Sequence, residues 1–159
     1  MSASAFLVEK GFNVSKLYYL IGIPASGKTT WAKKFCNDTG AVHCSADDIR
    51  RTVFGGYNRQ QTHLVYDILD DYVMSELKSG KDVVYDTMGM YYFRERQLEK
   101  FKPLAECIAV YFPVSIETAL KGNKERGTQI SEDYIRETYE LDVAPTLEEG
   151  FSDVIVIKR

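Results

Sequence analysis

Cysteine is scarce in this chain, with Cys36, Cys44 and Cys107 alone. Their number is odd, their spacing is wide and no CxxC pair occurs. Neither a disulfide framework nor a zinc site is expected, and a reducing compartment fits. Cys44 stands three residues before Asp47, and packing is its better reading. Histidine is scarcer still: His43 and His63 have no partners at metal-ligand spacing, and His63 is expected beside the apolar stripe of a long helix. The chain also lacks an excess of positive charge. Its formal net charge is −3, which argues against a broad basic surface wrapped around duplex nucleic acid but permits a local basic pocket. Long apolar runs are missing as well. There is no signal-peptide pattern and no membrane-length segment, so a cytoplasmic protein with no membrane partner is expected.

What is present is ordinary globular material: 159 residues, 45% of them hydrophobic, with eleven tyrosines and eight phenylalanines. That is enough to bury a core. Residues 1–16 read as a lead-in, either flexible or a short extra strand, and 17–159 as one domain. Strand patterns at Leu17–Ile21, Ala41–Cys44, Val83–Tyr85, Ile108–Phe112 and Val154–Ile157 alternate with helical ones. The helices are expected at about 28–36, 46–54, 59–79, 91–101, 115–123 and 131–141. In the 59–79 segment, Leu64, Val65, Ile68, Leu69, Tyr72, Val73 and Leu77 form a one-sided stripe. This alternation predicts an α/β fold with three layers: a five-stranded, mostly parallel sheet between helices. Ligands then sit at the carboxyl ends of the strands.

The strongest motif follows the first strand. Gly22-Ile23-Pro24-Ala25-Ser26-Gly27-Lys28-Thr29 fits GxxxxGK[ST] in full, with an apolar strand before it and a helix after it. The backbone N–H groups of such a loop form an anion nest at a helix N-terminus. Gly22, Pro24, Ala25, Ser26, Gly27, Lys28, Thr29 and Thr30 are the expected ATP-binding set. Lys28 is placed at the β- and γ-phosphates, and the Thr29 hydroxyl on Mg²⁺.

Other polar residues follow strand ends. Asp47, with Asp48 in reserve, is a candidate to accept the proton of an acceptor hydroxyl, although acids at a helix start also serve the helix itself. Arg50, one turn later, suits a phosphate on the acceptor, whereas Arg51 reads as a solvated charge. Val83-Val84-Tyr85-Asp86 resembles a Walker B strand. Asp86 would orient a Mg²⁺-bound water, Lys28 or the acceptor, and Thr87 would donate to substrate; a plain Asp-Thr turn is the alternative. No second acid follows Asp86, unlike motor ATPases. Lys121, Lys124 and Arg126, in a stretch with Gly122 and Gly127, read as a basic lid over about 121–141, with Arg126 the best candidate to neutralise transferred charge. Tyr91-Tyr92-Phe93 could stack on a base but read better as core packing, as does Trp31; Arg94 and Arg96 could extend an acceptor path but read better as surface charges.

Four stretches together resemble the polynucleotide 5′-hydroxyl kinases and their P-loop kinase relatives. They are GIPASGKTTWAKKF at Gly22–Phe35, SADDIR at Ser45–Arg50, YDTMG at Tyr85–Gly89 and KGNKERGT at Lys121–Thr128. The resemblance implies ATP and Mg²⁺ as cofactors and a nucleic-acid 5′ end as substrate. It implies Asp47 as general base, Arg50 on the acceptor phosphate, Asp86 and Thr87 at the acceptor, and Arg126 as the lid arginine. Asp47 and Asp86 would act on the metal only through water. Gly122 departs from the pattern, standing where some relatives carry another basic residue. The wider group holds kinases for small-molecule and tRNA-linked hydroxyls, and an acceptor-independent ATPase is the reading of another class. RNA against DNA, ATP against GTP and the oligomeric state stay open.

Overall fold

A computed structural model of the chain describes residues 3–11, 14–127 and 130–158. The last residue of the KGNKERGT stretch, Thr128, lies outside the described residues, as do parts of the lead-in. Five strands, β1 (Lys16–Ile21), β2 (Val42–Ser45), β3 (Val83–Asp86), β4 (Glu106–Tyr111) and β5 (Asp153–Val156), form one sheet in the order β2-β3-β1-β4-β5. Every ladder is parallel. The lead-in carries a helix, α1 (Ala3–Glu9), where a flexible segment or a strand was expected. The remaining helices are α2 (Lys28–Thr39), α3 (Ala46–Phe54), α4 (Thr62–Lys78), α5 (Tyr91–Phe101), α6 (Ile116–Glu125) and α7 (Glu132–Glu140).

Alternation along the strands sends side chains to two faces. Leu17, Tyr19 and Ile21 of β1, with Val83 and Tyr85 of β3, pack against Val65, Leu69, Val73 and Leu77 of α4 and Leu98 and Phe101 of α5. Leu20, Val84 and Val110 face the other way, toward Ala32, Trp31 and Phe35 of α2. Trp31 is a packing residue, stacked on Phe35 at 4.7 Å. A third cluster, Ile23, Ala119 and Ile135, fastens α6 and α7 to the loop after β1. Among the described residues no helix is long and apolar enough to cross a membrane.

The stripe on α4 is narrower than its sequence suggests. Leu64, Ile68 and Tyr72 remain exposed. His63 is also exposed and pairs with Asp67 at 3.3 Å rather than lying against the core. What positions the site is strand order. The chain leaves β1 for β2 on one side and later crosses from β3 over β1 to β4. The reversal opens a crevice at the carboxyl end of β1, flanked by the end of β3.

Candidate active site

A cleft of about 990 Å³ occupies that crevice. Its lining joins Pro24, Ala25, Gly27, Lys28, Thr29 and Thr30 to Asp47, Arg50, Asp86, Thr87 and Arg126. Thus nearly all the residues expected at the site share one cavity. Another groove, of about 1050 Å³, is lined in part by α1 and α5, and there Glu9, Glu95, Glu99, Glu106 and Glu149 outweigh Lys102, which disfavours phosphates.

The loop between β1 and α2 is a built anion cradle. Ala25 holds a left-handed backbone, φ 64, and Gly27 another, φ 97, so consecutive N–H groups turn inward. A left-handed alanine costs on the order of 1 kcal/mol or more, a strain that clusters where ligands are held. Gly22 and Ser26 lie beneath the cradle. A Cβ on Gly22 would meet the Ser26 hydroxyl at 2.7 Å and Phe112 at 3.2 Å. Gly22 N–H also donates to the Met88 carbonyl at 3.0 Å, fixing this loop to the one after β3.

Lys28 is buried and its ammonium donates to the carbonyls of Gly22 at 2.6 Å and Ile23 at 2.8 Å. Burial lowers its pKa to about 8, against the opposing pull of Asp86 and Asp47. An anion in the cradle would give that charge the partner it lacks.

Register brings the acids in. Ser45 pairs with Asp86 across β2 and β3. Ser45 then caps α3, accepting from the Asp48 N–H at 3.3 Å. The cap places Asp47 and Arg50 at the mouth of the cleft, where the Arg50 guanidinium donates to Asp47 at 3.0 Å. Asp47 is largely exposed, whereas Arg50 is mostly covered and its Nε has no hydrogen-bond partner. Arg51 is solvated and pairs with Asp48 at 2.5 Å.

Asp86 is buried and accepts from the Thr29 hydroxyl at 3.0 Å. It also accepts from His43 Nε2 at 2.8 Å, so His43 has a partner that sequence spacing does not show. An ionised carboxylate only accepts, which places the imidazole proton on Nε2. Hydroxyl and carboxylate oxygens this close are the hard donors that suit Mg²⁺, and Thr29 with Asp86 would hold it. Thr87 is buried and its hydroxyl accepts from the Gly89 N–H at 3.2 Å. At Gly89, φ is +63 and a Cβ would lie 2.6 Å from the Leu20 carbonyl, so only glycine lets this loop cross β1.

Across the cleft, Arg126 ends α6, exposed toward the same cavity. The Asn123 side chain ties α6 to the start of α7, donating to the Ile130 carbonyl at 2.6 Å and accepting from its N–H at 2.9 Å. Gly122 backs onto the cradle, where a Cβ would sit 3.4 Å from the Ala25 carbonyl.

Two expectations are corrected. Arg94 is not a surface charge: it is buried, donating to the Gly89 carbonyl at 2.7 Å, to the Val143 carbonyl and to Glu149 at 3.2 Å. Tyr91, Tyr92 and Phe93 are not core residues, since all three are exposed.

A family profile described as an AAA domain, AAA_33, matches residues 17–140. The chain belongs to this family. The match takes in the cradle, both acidic segments and helices α6 and α7 of this AAA domain. No curated protein matches it in sequence. Its fold is that of P-loop kinases. It superposes on a chain of the Pnkp1/Rnl/Hen1 RNA repair complex with a TM-score of 0.73 at 22% identity, over 81% of this chain and 44% of that one. The AAA domain therefore spans less than half of that neighbour. A sugar kinase from Janibacter sp. HTCC2649 gives 0.68 at 14% identity, covering 92% and 86%. Shikimate kinase from Acinetobacter baumannii, in complex with shikimate, gives 0.59 at 21%, covering 99% and 88%.

Proposed function

We propose that this protein is an ATP- and Mg²⁺-dependent kinase that moves the γ-phosphate to the 5′-hydroxyl of a polynucleotide, RNA or DNA. One observation carries the reading. The phosphate cradle with Lys28, Thr29 and Asp86 opens into the same cleft as a solvated carboxylate, Asp47, beside a covered arginine, Arg50.

The chemistry divides among these groups. Backbone N–H groups of Gly27, Lys28 and Thr29, with the Lys28 ammonium, bind the triphosphate. Thr29 and Asp86 would hold Mg²⁺, which would supply charge neutralisation on the triphosphate. Asp47 accepts the proton of the 5′-hydroxyl as its oxygen bonds to the γ-phosphorus and the bond to ADP breaks. Arg50 leaves Asp47 for the first internucleotide phosphate, which its fork geometry fits. Arg126 closes from α6 onto charge that spreads over the transferring oxygens.

The first test is transfer from labelled ATP, with Mg²⁺, to 5′-hydroxyl RNA and DNA oligonucleotides, with 5′-phosphorylated strands and small polyols as controls. Label only on the 5′-hydroxyl strands supports the reading. Label on a polyol alone replaces it with a small-molecule kinase. Asp47→Asn should keep ATP binding, measured by calorimetry, while transfer falls about 10²- to 10⁴-fold, the span of one general base. Transfer near the wild-type rate removes Asp47 from the role.

A further inference from the structure

The acceptor end of the cleft is walled by aromatic rings rather than by cations. Tyr57 follows α3, Tyr66 lies on α4 and Tyr134 on α7, and all three line the cavity. Phe93, at the start of α5, extends the wall: its ring stacks on Tyr66 at 6.2 Å and meets Tyr92 at 4.5 Å. Tyr57 is 67% exposed, Tyr92 63%, Phe93 44% and Tyr134 37%, and large apolar rings gathered at one open site mark a binding surface. The Arg50 guanidinium lies 5.4 Å from the Tyr57 ring centre. Tyr57, Tyr66 and Tyr134 share the cavity with Arg50 and Asp47, the two side chains that would handle the acceptor. Among the lining residues the cations are Lys28, Arg50 and Arg126. Lys28 belongs to the nucleotide and Arg126 to the lid, which leaves Arg50 for the acceptor.

One arginine and a group of rings, of which Tyr57, Phe93 and Tyr134 are exposed while Tyr66 is half-buried and stacked on Phe93, favour a ligand with one nearby anion and planar, stackable groups. A nucleotide strand presents a π-face on every base. We propose, building on the kinase reading above, that Tyr57, Tyr66, Phe93 and Tyr134 form a stacking wall for the unpaired bases at the acceptor's 5′ end. Arg50 takes the phosphate that joins the first two nucleotides. A paired end would have to bring its partner strand into the same cleft, so unpaired and overhanging ends are the preferred substrates.

The test compares 5′-hydroxyl oligonucleotides, RNA and DNA, that carry either a normal or an abasic 5′-terminal nucleoside. With the wild type the abasic strand should show a KM about tenfold higher, within the range for one base stacked on one ring. Tyr57→Ala and Tyr134→Ala should raise the KM for the normal strand and shrink the difference. Tyr57→Phe should restore it, and the KM for ATP should not move. A 2-aminopurine at the 5′ end should be quenched on binding to the wild type and less so by Tyr57→Ala. Equal KM values for both strands, both being phosphorylated, would overturn the wall and leave the polynucleotide kinase standing. Failure to phosphorylate any oligonucleotide, with ATP binding intact, would overturn both.

Discussion

His43 shows how much of a site hangs on one side chain of no conspicuous spacing. Asp86 can serve Thr29 and a metal only if its carboxylate is held, and the His43 Nε2–H holds it at 2.8 Å from β2. Outer partners of this kind are worth about 10- to 100-fold in metal affinity or activity. His43→Ala should therefore weaken calorimetric binding of Mg-ATP by about tenfold and leave binding of metal-free ATP unchanged. Equal losses with and without Mg²⁺ would show a general packing defect instead. The cysteines make the opposite case. Burial pushes the thiols of Cys44 and Cys107 up to about 12, so they keep their protons in the fold and would ionise near 9 once unfolded. The stability this confers is complete below pH 9 and declines as pH rises from 9 to 12. Native protein at pH 8 should react with a thiol reagent at Cys36 alone, with Cys44 and Cys107 following on unfolding; fast native labelling of Cys44 would contradict its packing role. At this scale the cradle was legible because eight consecutive residues carry it. His43–Asp86 was not, because its partners are 43 positions apart and meet only through strand register.

The helix α5 teaches the same lesson at the scale of an element. Its bounds, Tyr91–Phe101, match the expectation from sequence. Its buried face does not, because it holds Arg94 and Gln97 beside Leu98 and Phe101. A polar residue on a buried face has to find its partners. Beyond the nearby Gly89 carbonyl, those of Arg94 lie far along the chain, at Val143 and Glu149, so no local pattern reveals them. Through Arg94 the loop after β3, the chain beyond α7 and the turn Leu147–Glu149 are held together. Glu149 completes the knot by accepting from the Thr146 N–H at 2.7 Å. Arg94→Met should cost about 3 kcal/mol in urea unfolding, since it strands a carboxylate and two carbonyls. Adding Glu149→Leu should return part of that loss. If the double variant were less stable than the single one, Glu149 would matter through Thr146 rather than Arg94. The short helix α1 escaped prediction for another reason: at seven residues it is too brief to show a periodic stripe.

The whole molecule was readable as layers, because strands buried on both faces and helices with one apolar side leave few ways to cover a parallel sheet. How it meets its acceptor is a matter of total charge, and that supports one more prediction. The protein carries a net charge of −3, and Arg50 is the cation left for the acceptor among the residues lining the cleft. Each phosphate neutralised on a single strand contributes about −0.7 to the slope of log affinity against log salt. A 5′-hydroxyl oligonucleotide held by stacking and one arginine should therefore show a slope near −0.7, measured by fluorescence titration without ATP. A polycationic track touching six phosphates would give about −4. Lengthening the strand beyond the bases in the cleft should add no affinity, because the acidic surface repels the phosphates that follow. Arg50→Gln should flatten the slope toward zero while the quenching of a 5′-terminal 2-aminopurine persists. A steep slope that survives Arg50→Gln would mean that cations outside the cleft bind the strand, and that charge rather than stacking selects the substrate.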